Sequence, residues 1–238
     1  MRYAMAIDLN RCIGCRTCAV VCKNHNAEPE GIWWNRVFAS GAPNYSTAVE
    51  VDGGMRSEFL PVSCQQCEDA PCETACPTGA TYTDEYGTVL VDFESCIGCR
   101  YCMTACPYNV RQFNWQKPQG IPGTEGTYAY GWPFEVHQDG KLVYTPTRPE
   151  GVVEKCTFCV QYTGTDGTGA DPACCVACPA NARIFGDMDD PNSAFSQYVK
   201  DKDTFTLGDE YHTRPKVVYV PSARIAADHV GSEGEVTR

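Results

Sequence analysis

Four groups of cysteine residues constrain this chain more than any other feature of its sequence. Of its 238 residues, 17 are cysteine, and all of them lie within residues 12–22, 64–76, 96–106 and 156–178. The first and third groups follow C-x2-C-x2-C-x3-C, and the second follows C-x2-C-x4-C-x3-C. The fourth follows C-x2-C-x14-C-x3-C when Cys174 is counted and the adjacent Cys175 is left as a spare. The last three groups each continue into proline.

Three kinds of cysteine site can be compared with this spacing. Disulfide frameworks are typical of small secreted chains that cannot build a hydrophobic core, and a chain of this length does not need one. Zinc sites usually pair two C-x2-C units across a longer loop. Three cysteines on one short loop, with a fourth on the helix that follows, are typical of [4Fe–4S] clusters, in which the fourth cysteine reaches a second cluster. Sixteen cysteines therefore predict four clusters, with one cysteine left over.

Composition excludes several other kinds of protein. The 30 acidic and 19 basic residues give a formal net charge of −11, which argues against nucleic acid as a partner because phosphates need a basic surface. A hydrophobic content of 43% with 11% aromatic residues excludes a disordered chain. No run of 18 apolar residues occurs, so no direct membrane span is expected, and the first residues lack the pattern of a secretory signal.

The chain also repeats itself around the cysteines. Residues 8–18 match residues 92–102 at seven of eleven positions. After the last cysteine of three groups, a proline leads to an aromatic residue on a short apolar segment that is predicted to be a strand, at Tyr82, Phe113 and Phe185. Residues 84–87 are predicted to form a turn before a return strand at 88–92. Duplicated modules around the clusters are therefore expected, with cluster binding supplying much of the folding free energy.

The four motifs, their order and the segment Glu154-Lys-Cys-Thr-Phe-Cys159 resemble the four-cluster iron–sulfur electron-transfer (beta) subunits of dimethyl-sulfoxide-reductase-type molybdopterin oxidoreductases. The resemblance covers roughly residues 1–220. It implies an α+β fold of two pseudo-twofold, bacterial-ferredoxin-like 2[4Fe–4S] modules with long loop insertions and little regular secondary structure. The implied domains are 1–60 with 150–220 for the first module, including an insertion at 31–61, then 61–115 for the second module, 116–150 for an insertion loop and 221–238 for a polar tail.

The resemblance further implies which cysteines share a cluster. Motif one pairs with motif four, and motif two with motif three. The four sets are Cys12, Cys15 and Cys18 with Cys178; Cys156, Cys159 and Cys174 with Cys22; Cys64, Cys67 and Cys72 with Cys106; and Cys96, Cys99 and Cys102 with Cys76. No ligand position is replaced by another residue type, which predicts four cubane clusters. Cys175 is expected to be a small buried residue beside one of them.

No catalytic pattern accompanies the cysteines. The sequence contains no Ser/His/Asp set, no motif with paired carboxylates and no glycine-rich nucleotide loop, and the histidines, at positions 25, 137, 212 and 229, lie outside any ligand spacing. A row of clusters that each exchange one electron is predicted to be a relay. The resemblance implies that it connects a large molybdopterin subunit, with molybdenum or tungsten, to a quinone-reactive membrane subunit or a soluble carrier. A free-standing polyferredoxin or a hydrogenase-linked carrier is the alternative.

The resemblance also implies an orientation and a location. The cluster built mainly on the first motif is expected to face the pterin subunit. Many relatives are exported in folded form together with the catalytic subunit, which implies the extracytoplasmic face of the cytoplasmic membrane. The cytoplasm, where thiols stay reduced, is the alternative.

Residues outside the ligand sets have two predicted roles. Basic residues next to the motifs are expected to offset cluster charge and raise individual potentials, and Arg100→Gln is predicted to lower the midpoint potential of one cluster. Aromatic residues of the two insertions are expected to cover the clusters and dock the catalytic subunit, with packing over the modules as the alternative. The basic residues are Arg11, Arg16, Lys23, Arg100, Arg111, Lys155 and Arg183, and the aromatic residues are Trp33, Trp34, Tyr128, Tyr130, Trp132, Phe134 and Tyr144.

Overall fold

The structure is a computed structural model that describes residues 1–26, 28–39, 49–51, 54–116, 135–138, 141–144, 149–163 and 169–222. Most of the predicted insertion loop at 116–150 and most of the predicted tail at 221–238 lie outside these residues. So do four of the aromatic residues expected to dock a partner, Tyr128, Tyr130, Trp132 and Phe134.

Regular secondary structure in the described residues is short and mixed, as expected for an α+β chain with little regular structure. The longest helix has nine residues and the longest strand six. The helices are α1 Thr17–His25, α2 Pro71–Thr74, α3 Tyr101–Thr104, α4 Val160–Thr163, α5 Ala173–Val176 and α6 Ala194–Val199, with a 3₁₀ turn at Asp209–Tyr211. The strands are β1 Tyr3–Asp8, β2 Arg36–Ala39, β3 Val49–Val51, β4 Gly54–Arg56, β5 Phe59–Val62, β6 Thr81–Thr83, β7 Val89–Val91, β8 Gln112–Phe113, β9 Glu135–Gln138, β10 Lys141–Tyr144, β11 Val153–Glu154, β12 Arg183–Asp187 and β13 Val217–Val220.

A three-stranded sheet joins segments that are far apart in the sequence. Its middle strand, β1, is antiparallel to β12, with Met5 opposite Phe185, and parallel to β13, with Met5 opposite Val217. All six residues of β1 are buried. One face of the strand packs on the main core, and the other, which carries the small residues Ala4 and Ala6, packs on α6. The sheet therefore holds the segment before motif one against the segment after motif four.

The other strands form two-stranded antiparallel pairs. β6 pairs with β7 through the turn predicted at residues 84–87, where the Asp84 carboxylate accepts backbone hydrogen bonds from Tyr86 and Thr88. β2 pairs with β5, β3 with β4, and β9 with β10. β8 pairs with β11, with Phe113 opposite Val153, so the segment after motif three lies beside the segment that leads into motif four.

Cysteine side chains are part of the hydrophobic cores. In the main core they pack among aromatic side chains such as Phe158 and Tyr219. Because thiols fill positions that aliphatic side chains fill in other proteins, the cysteine sites are built into the packing of the chain. The buried cysteines of the main core are Cys18, Cys22, Cys64, Cys156, Cys174 and Cys175, and those of a second core are Cys67, Cys72 and Cys102.

The first insertion covers the main core, and one of its two tryptophans is buried there. Trp34 is 4% exposed; its indole N–H donates to Glu154 at 3.2 Å, and its backbone N–H donates to Glu28 at 2.9 Å. Trp33 is 37% exposed, with Nζ of Lys23 lying 4.7 Å from the centre of its ring. Trp34 therefore covers the core, as expected of the insertion, but is not available to dock a partner, because its ring and its N–H both have partners inside the protein.

Exposed ion pairs connect separate segments of the chain. Arg2 pairs with Asp189 and with Glu68. Arg214 pairs with the same glutamate at 2.9 Å and with Asp69. These arginine forks tie the residues before β1 and the residues before β13 to the loop of motif two.

Candidate iron–sulfur centres

Sixteen of the cysteines line four cavities, four to each cavity. We name the cavities sites A, B, C and D; their volumes, part of which opens to solvent, are about 360, 350, 330 and 310 Å³. These groups coincide with the four sets that the family resemblance implies, and their role as iron ligands stays a prediction. The lining cysteines are Cys12, Cys15, Cys18 and Cys178 at site A; Cys22, Cys156, Cys159 and Cys174 at site B; Cys64, Cys67, Cys72 and Cys106 at site C; and Cys76, Cys96, Cys99 and Cys102 at site D.

The repeated motifs adopt the same backbone conformation at sites A and D. In the C-x-G-C segments of motifs one and three, Gly14 and Gly98 have φ values of +68° and +67°. A side chain at Gly98 would place its Cβ only 2.1 Å from the carbonyl oxygen of Gly151. Arg16 and Arg100, directly after the second cysteine, have φ values of +61° and +65° and precede α1 and α3. Glycine is needed in these loops because the backbone is left-handed and passes close to its neighbours.

The helix of motif one contributes to two sites. Cys18, at the start of α1, faces site A, whereas Cys22, four residues later, faces site B. A rise of about 1.5 Å per residue separates such positions by about 6 Å, so the helix reaches from one site to the next. Motif four makes the reverse connection, since Cys174 lines site B and Cys178 lines site A. Sites A and B are therefore neighbours, and motifs two and three relate sites C and D in the same way.

The turn after the last cysteine of a motif directs backbone N–H groups at sulfur. The amide nitrogen of Thr81 lies 3.4 Å from Sγ of Cys76, and that of Ala182 lies 3.3 Å from Sγ of Cys178. In each turn the third residue after the cysteine is left-handed, a conformation that glycine and asparagine tolerate. The pattern Cys-Pro-x-Gly/Asn is the sequence signal for these donors, which cysteine spacing by itself does not reveal. The three residues are Gly79, Asn109 and Asn181, with φ values of +68°, +50° and +45°.

Exposure divides the four sites into two outer and two inner ones. Cys15 at site A and Cys99 at site D are exposed, whereas all four cysteines of site B are buried. Burial raises the pKa of the Cys156 thiol to about 12 and raises the pKa of Cys22 as well. Iron binding at site B therefore requires Cys156 and Cys22 to lose protons that burial holds in place. At the surface, the Thr17 hydroxyl, 3.3 Å from Sγ of Cys15, lowers the pKa of that thiol.

Sites B and C adjoin through Cys156 and Cys64. After burial and the neighbouring Cys174, negative charge at Cys64 is a further cause of the raised pKa of Cys156. The side chain of Gln66 bridges the same region, because it donates to the carbonyl oxygen of Cys156 at 2.8 Å and accepts from the backbone of Val89 at 2.9 Å. The sites therefore follow one another in the order A, B, C, D, with an exposed cysteine at each end.

Of the two adjacent cysteines in motif four, Cys174 lines site B. A hydrogen bond from the Cys175 thiol lowers the pKa of the Cys174 thiol, and the guanidinium of Arg183 acts in the same direction. Cys175 is buried in the main core and is not among the residues that line the four sites. It is a hydrogen-bond partner of a lining cysteine, in agreement with the position expected from the C-x3-C-P spacing.

The basic residues singled out in the sequence have different partners. Nη2 of Arg111 lies 3.1 Å from Sγ of Cys72, and Nη1 of Arg183 lies 3.7 Å from Sγ of Cys174. Arg100, whose substitution is predicted to shift one potential, lines site D with its guanidinium over two aromatic rings; that shift stays a prediction. The two rings beside Arg100 are those of Phe113 and Trp115. The remaining contacts are those of Lys23 with the backbone carbonyls of Pro29 and Ile32, of Lys155 with the backbone carbonyls of Val89 and Cys156, and of Arg11 with Asp8.

The donor set fits polynuclear iron–sulfur centres. Thiolates are the soft ligands that such clusters select, each site has four of them, and N–H or guanidinium groups point at sulfur, as in clusters whose potentials are tuned by hydrogen bonds. When bound, each cluster supplies one-electron redox chemistry. Within the described ranges, no three His, Cys, Asp or Glu side chains form a group that could hold a single metal ion. The same part of the chain has no helix with the length and apolar character needed to cross a membrane.

Comparison with known proteins decides the family. Two family models, each described as a 4Fe-4S dicluster domain, match residues 11–80 and 55–120. An iron–sulfur protein of Halobacterium salinarum, named as a subunit of dimethyl sulfoxide reductase, is 45% identical over 224 aligned positions, with 92% of this chain and 78% of that protein covered. The chain belongs to the family of iron–sulfur (beta) subunits of the molybdopterin oxidoreductases.

Other relatives of this iron–sulfur subunit come from different reductases. The arsenate respiratory reductase iron–sulfur subunit of a Shewanella species is 37% identical over 238 residues, with 93% of this chain and 97% of that protein covered. The thiosulfate reductase electron transfer subunit of Salmonella typhi is 36% identical over 204 residues, with 86% and 84% covered. This iron–sulfur subunit is an electron-transfer protein, and its two dicluster domains hold four [4Fe–4S] clusters.

Proposed function

We propose that this iron–sulfur subunit relays single electrons along sites A, B, C and D between a large molybdopterin-dependent catalytic subunit and a second partner, a quinone-reactive membrane subunit or a soluble carrier. The order of four adjoining cysteine-lined sites, with an exposed cysteine at each end, carries this proposal. Burial of the inner sites favours exchange of electrons with partners at the outer sites alone. The relatives named for dimethyl sulfoxide, arsenate and thiosulfate reductases support a reductase complex.

We propose that the sixteen lining cysteines are the iron ligands and that they belong to two pseudo-twofold ferredoxin-like modules. Residues 1–60 and 150–220 form the module of sites A and B, and residues 61–115 form that of sites C and D. The cavities support this division, since Cys178 completes the set of motif one and Cys106 completes that of motif two. The left-handed turn repeated at Asn109 and Asn181 supports the same relation.

The two outer sites are the proposed docking points for partners. Ile13, in the loop of motif one, is 61% exposed, and Ile97, at the same place in motif three, is 67% exposed. Exposed Tyr101 and Trp115 extend the apolar surface at site D, and side chains of this kind suit the centre of a protein interface. In keeping with the family resemblance, site A is proposed to face the pterin subunit and site D the second partner, on the extracytoplasmic face of the cytoplasmic membrane.

Isolation of the complex without oxygen from the native host tests the proposed function. We expect about sixteen irons per copy of this chain, together with molybdenum or tungsten and a large second chain in constant ratio. Ile13→Asp is expected to keep the iron and to lose the large chain, whereas the matched variant Ile97→Asp keeps both. Iron on a single chain without molybdenum or tungsten would favour a free-standing polyferredoxin instead.

A further inference from the structure

Two buried arginines occupy the same position in motifs three and four. Arg111 and Arg183 each lie five residues after the last cysteine, in Cys-Pro-Tyr-Asn-Val-Arg and Cys-Pro-Ala-Asn-Ala-Arg. The left-handed Asn109 and Asn181 turn the chain back in these segments, and the arginines are 1% and 5% exposed. The corresponding residues of motifs one and two are alanine and threonine. Each pair of motifs therefore contains one such arginine.

Arg183 lies between sites A and B. It lines site A, while its Nη1 lies 3.7 Å from Sγ of Cys174, which lines site B. Its Nη2 donates to Oδ1 of Asn35 at 3.0 Å, and Asn35 also lines site B. On the other side, burial raises the pKa of Cys18 at site A, and the guanidinium opposes this effect. One positive charge therefore acts on a cysteine of each site.

Arg111 has the equivalent place between sites C and D. It lines site C, with Nη2 at 3.1 Å from Sγ of Cys72. Its Nη1 donates to the hydroxyl of Thr81 at 3.2 Å, and Thr81 lines site D. Burial raises the pKa of Cys102 at site D, and Arg111 opposes this effect too. The four cysteines that the two guanidinium groups face are each the third cysteine of their motif.

Neither arginine has a carboxylate as its counter-ion. In the part of the chain that the structure describes, the ion pairs involve other residues. A buried guanidinium without an anion is strongly disfavoured. The anions that Arg111 and Arg183 face are cysteine thiolates, whose sites gain one more negative charge for every electron that a bound cluster accepts. The placement of both side chains is thus matched to reduced clusters.

We propose that Arg183 raises the reduction potentials of the clusters at sites A and B together, and that Arg111 does the same for sites C and D. The inference rests on the ligand sets of the proposed function. A fixed positive charge stabilises the more negative, reduced state of each neighbouring cluster. Because the charge lies between two clusters, it stabilises an electron on either one and offsets part of the unfavourable energy of reducing both.

Redox titrations followed by electron paramagnetic resonance of the isolated complex test this inference. Arg183→Gln is expected to lower two of the four midpoint potentials by at least about 59 mV, a tenfold change in a one-electron equilibrium. Arg111→Gln is expected to lower the other two. The two variants must move complementary pairs, so the signals need not be assigned to sites beforehand. Arg11→Gln is the matched control, because Arg11 adjoins motif one but is exposed and pairs with Asp8; it should move no midpoint as far.

A shift of a single cluster, a shift of the same clusters in both variants, or unchanged midpoints with full iron would each overturn the inference. Iron analysis separates this result from a failure of the ligand sets, which would appear as an iron content far from sixteen in the wild type. If Arg183→Gln loses iron, Asn35→Asp places a carboxylate against the same guanidinium. This variant is expected to lower the two midpoints that Arg111→Gln leaves unchanged, and a shift of one or none contradicts the inference.

Discussion

The indole N–H of Trp34 and the carboxylate of Glu154 form a hydrogen bond of 3.2 Å inside the core, across 120 residues of sequence. Glu154 ends β11, two residues before Cys156. Trp34 itself lines site B. The bond therefore holds the first insertion as a cover over a buried cluster site, and it satisfies polar groups that burial would otherwise penalise.

Trp34→Phe removes this donor but keeps an aromatic ring. We expect the free energy of unfolding to fall by about 1–3 kcal/mol, because a buried carboxylate loses a hydrogen bond. The apparent melting temperature of the anaerobic holo-protein measures the effect, with about 2–4 °C for each kcal/mol in a chain of this size. Trp33→Phe, at the exposed neighbouring position, is the control and is expected to change little. Equal losses in both variants would contradict this role of Trp34.

The adjacent cysteines of motif four provide a test of the ligand sets. Cys174→Ala is expected to lose the cluster of site B, about four of the sixteen irons, because no other side chain replaces the missing thiolate there. Cys175→Ala is expected to keep about sixteen irons, since Cys175 lies in the core beside the site. Iron per chain and resonance spectra measure both. Iron loss from Cys175→Ala but not from Cys174→Ala would show that Cys175 is the ligand and Cys174 the neighbouring core residue.

Gly98 and Gly79 have almost the same left-handed backbone, with φ values of +67° and +68°, but different surroundings. Either glycine replaced by alanine meets strain of about 1–2 kcal/mol. Gly98→Ala adds a clash with the carbonyl of Gly151, whereas a Cβ at Gly79 has no atom within 4 Å. Gly98→Ala is therefore expected to lower the free energy of unfolding by about 1–3 kcal/mol more than Gly79→Ala does, and the melting temperature with it. It is also expected to weaken iron retention at site D. Similar behaviour of the two variants would show that the clash relaxes.

The exposed ion pair of Arg2 and Asp189 predicts that the stability of the protein depends on pH in the acid range. Hydrogen bonding from Arg2 lowers the pKa of Asp189 below its usual 3.8. A lowered carboxyl pKa contributes stability that is present above the unfolded-state pKa and is lost as the pH falls through the folded-state pKa. At pH 7, Asp189→Asn should thus lower the free energy of unfolding by at most about 1 kcal/mol, as for other exposed pairs. The melting temperature should fall slightly as a result.

The difference between Asp189→Asn and the wild type should shrink as the pH falls below 3.8. Melting curves of both proteins at matched pH values measure it, with Asp201→Asn, at another exposed position, as the control. A difference that stays constant down to the lowest pH would show that the ion pair is not its cause.

Local features of the site could be predicted because the motifs repeat. Residues 8–18 and 92–102 match at seven of eleven positions, and the glycine loops at Gly14 and Gly98 have the same conformation. The turns after Cys-Pro repeat in the same way, because glycine or asparagine stands at the same position in each. The strand carrying Phe185 followed from the aromatic residue after motif four. The pairing of this strand with β1 could not be predicted. The two strands that pair with β1 start about 180 and 210 residues after it, and no periodicity in a sequence encodes such distant pairing.

The surroundings of the cysteines could be predicted less well, for a physical reason. Seven basic residues adjoin the motifs, and charge alone does not say which of them turns inward. Arg111, Arg183 and Lys155 turn inward, and a left-handed asparagine precedes each of the two arginines by two residues. Arg11 instead turns outward to Asp8. Tryptophan is likewise a residue type common in protein interfaces, so its type alone does not show that Trp34 is buried. The hydrogen-bond partner of its indole N–H, Glu154, lies far away in the sequence.

The pairing of motif one with motif four has a consequence for biosynthesis. A ribosome releases Cys12 long before Cys178, which lines the same site, and β1 gains its partner β13 later still. Motifs two and three lie within residues 64–106, so the cysteines of sites C and D are all available while the chain is still growing. With the proposed ligand sets, the cysteines of sites C and D are therefore complete while site A still lacks Cys178, although site A contains the first cysteine to be translated.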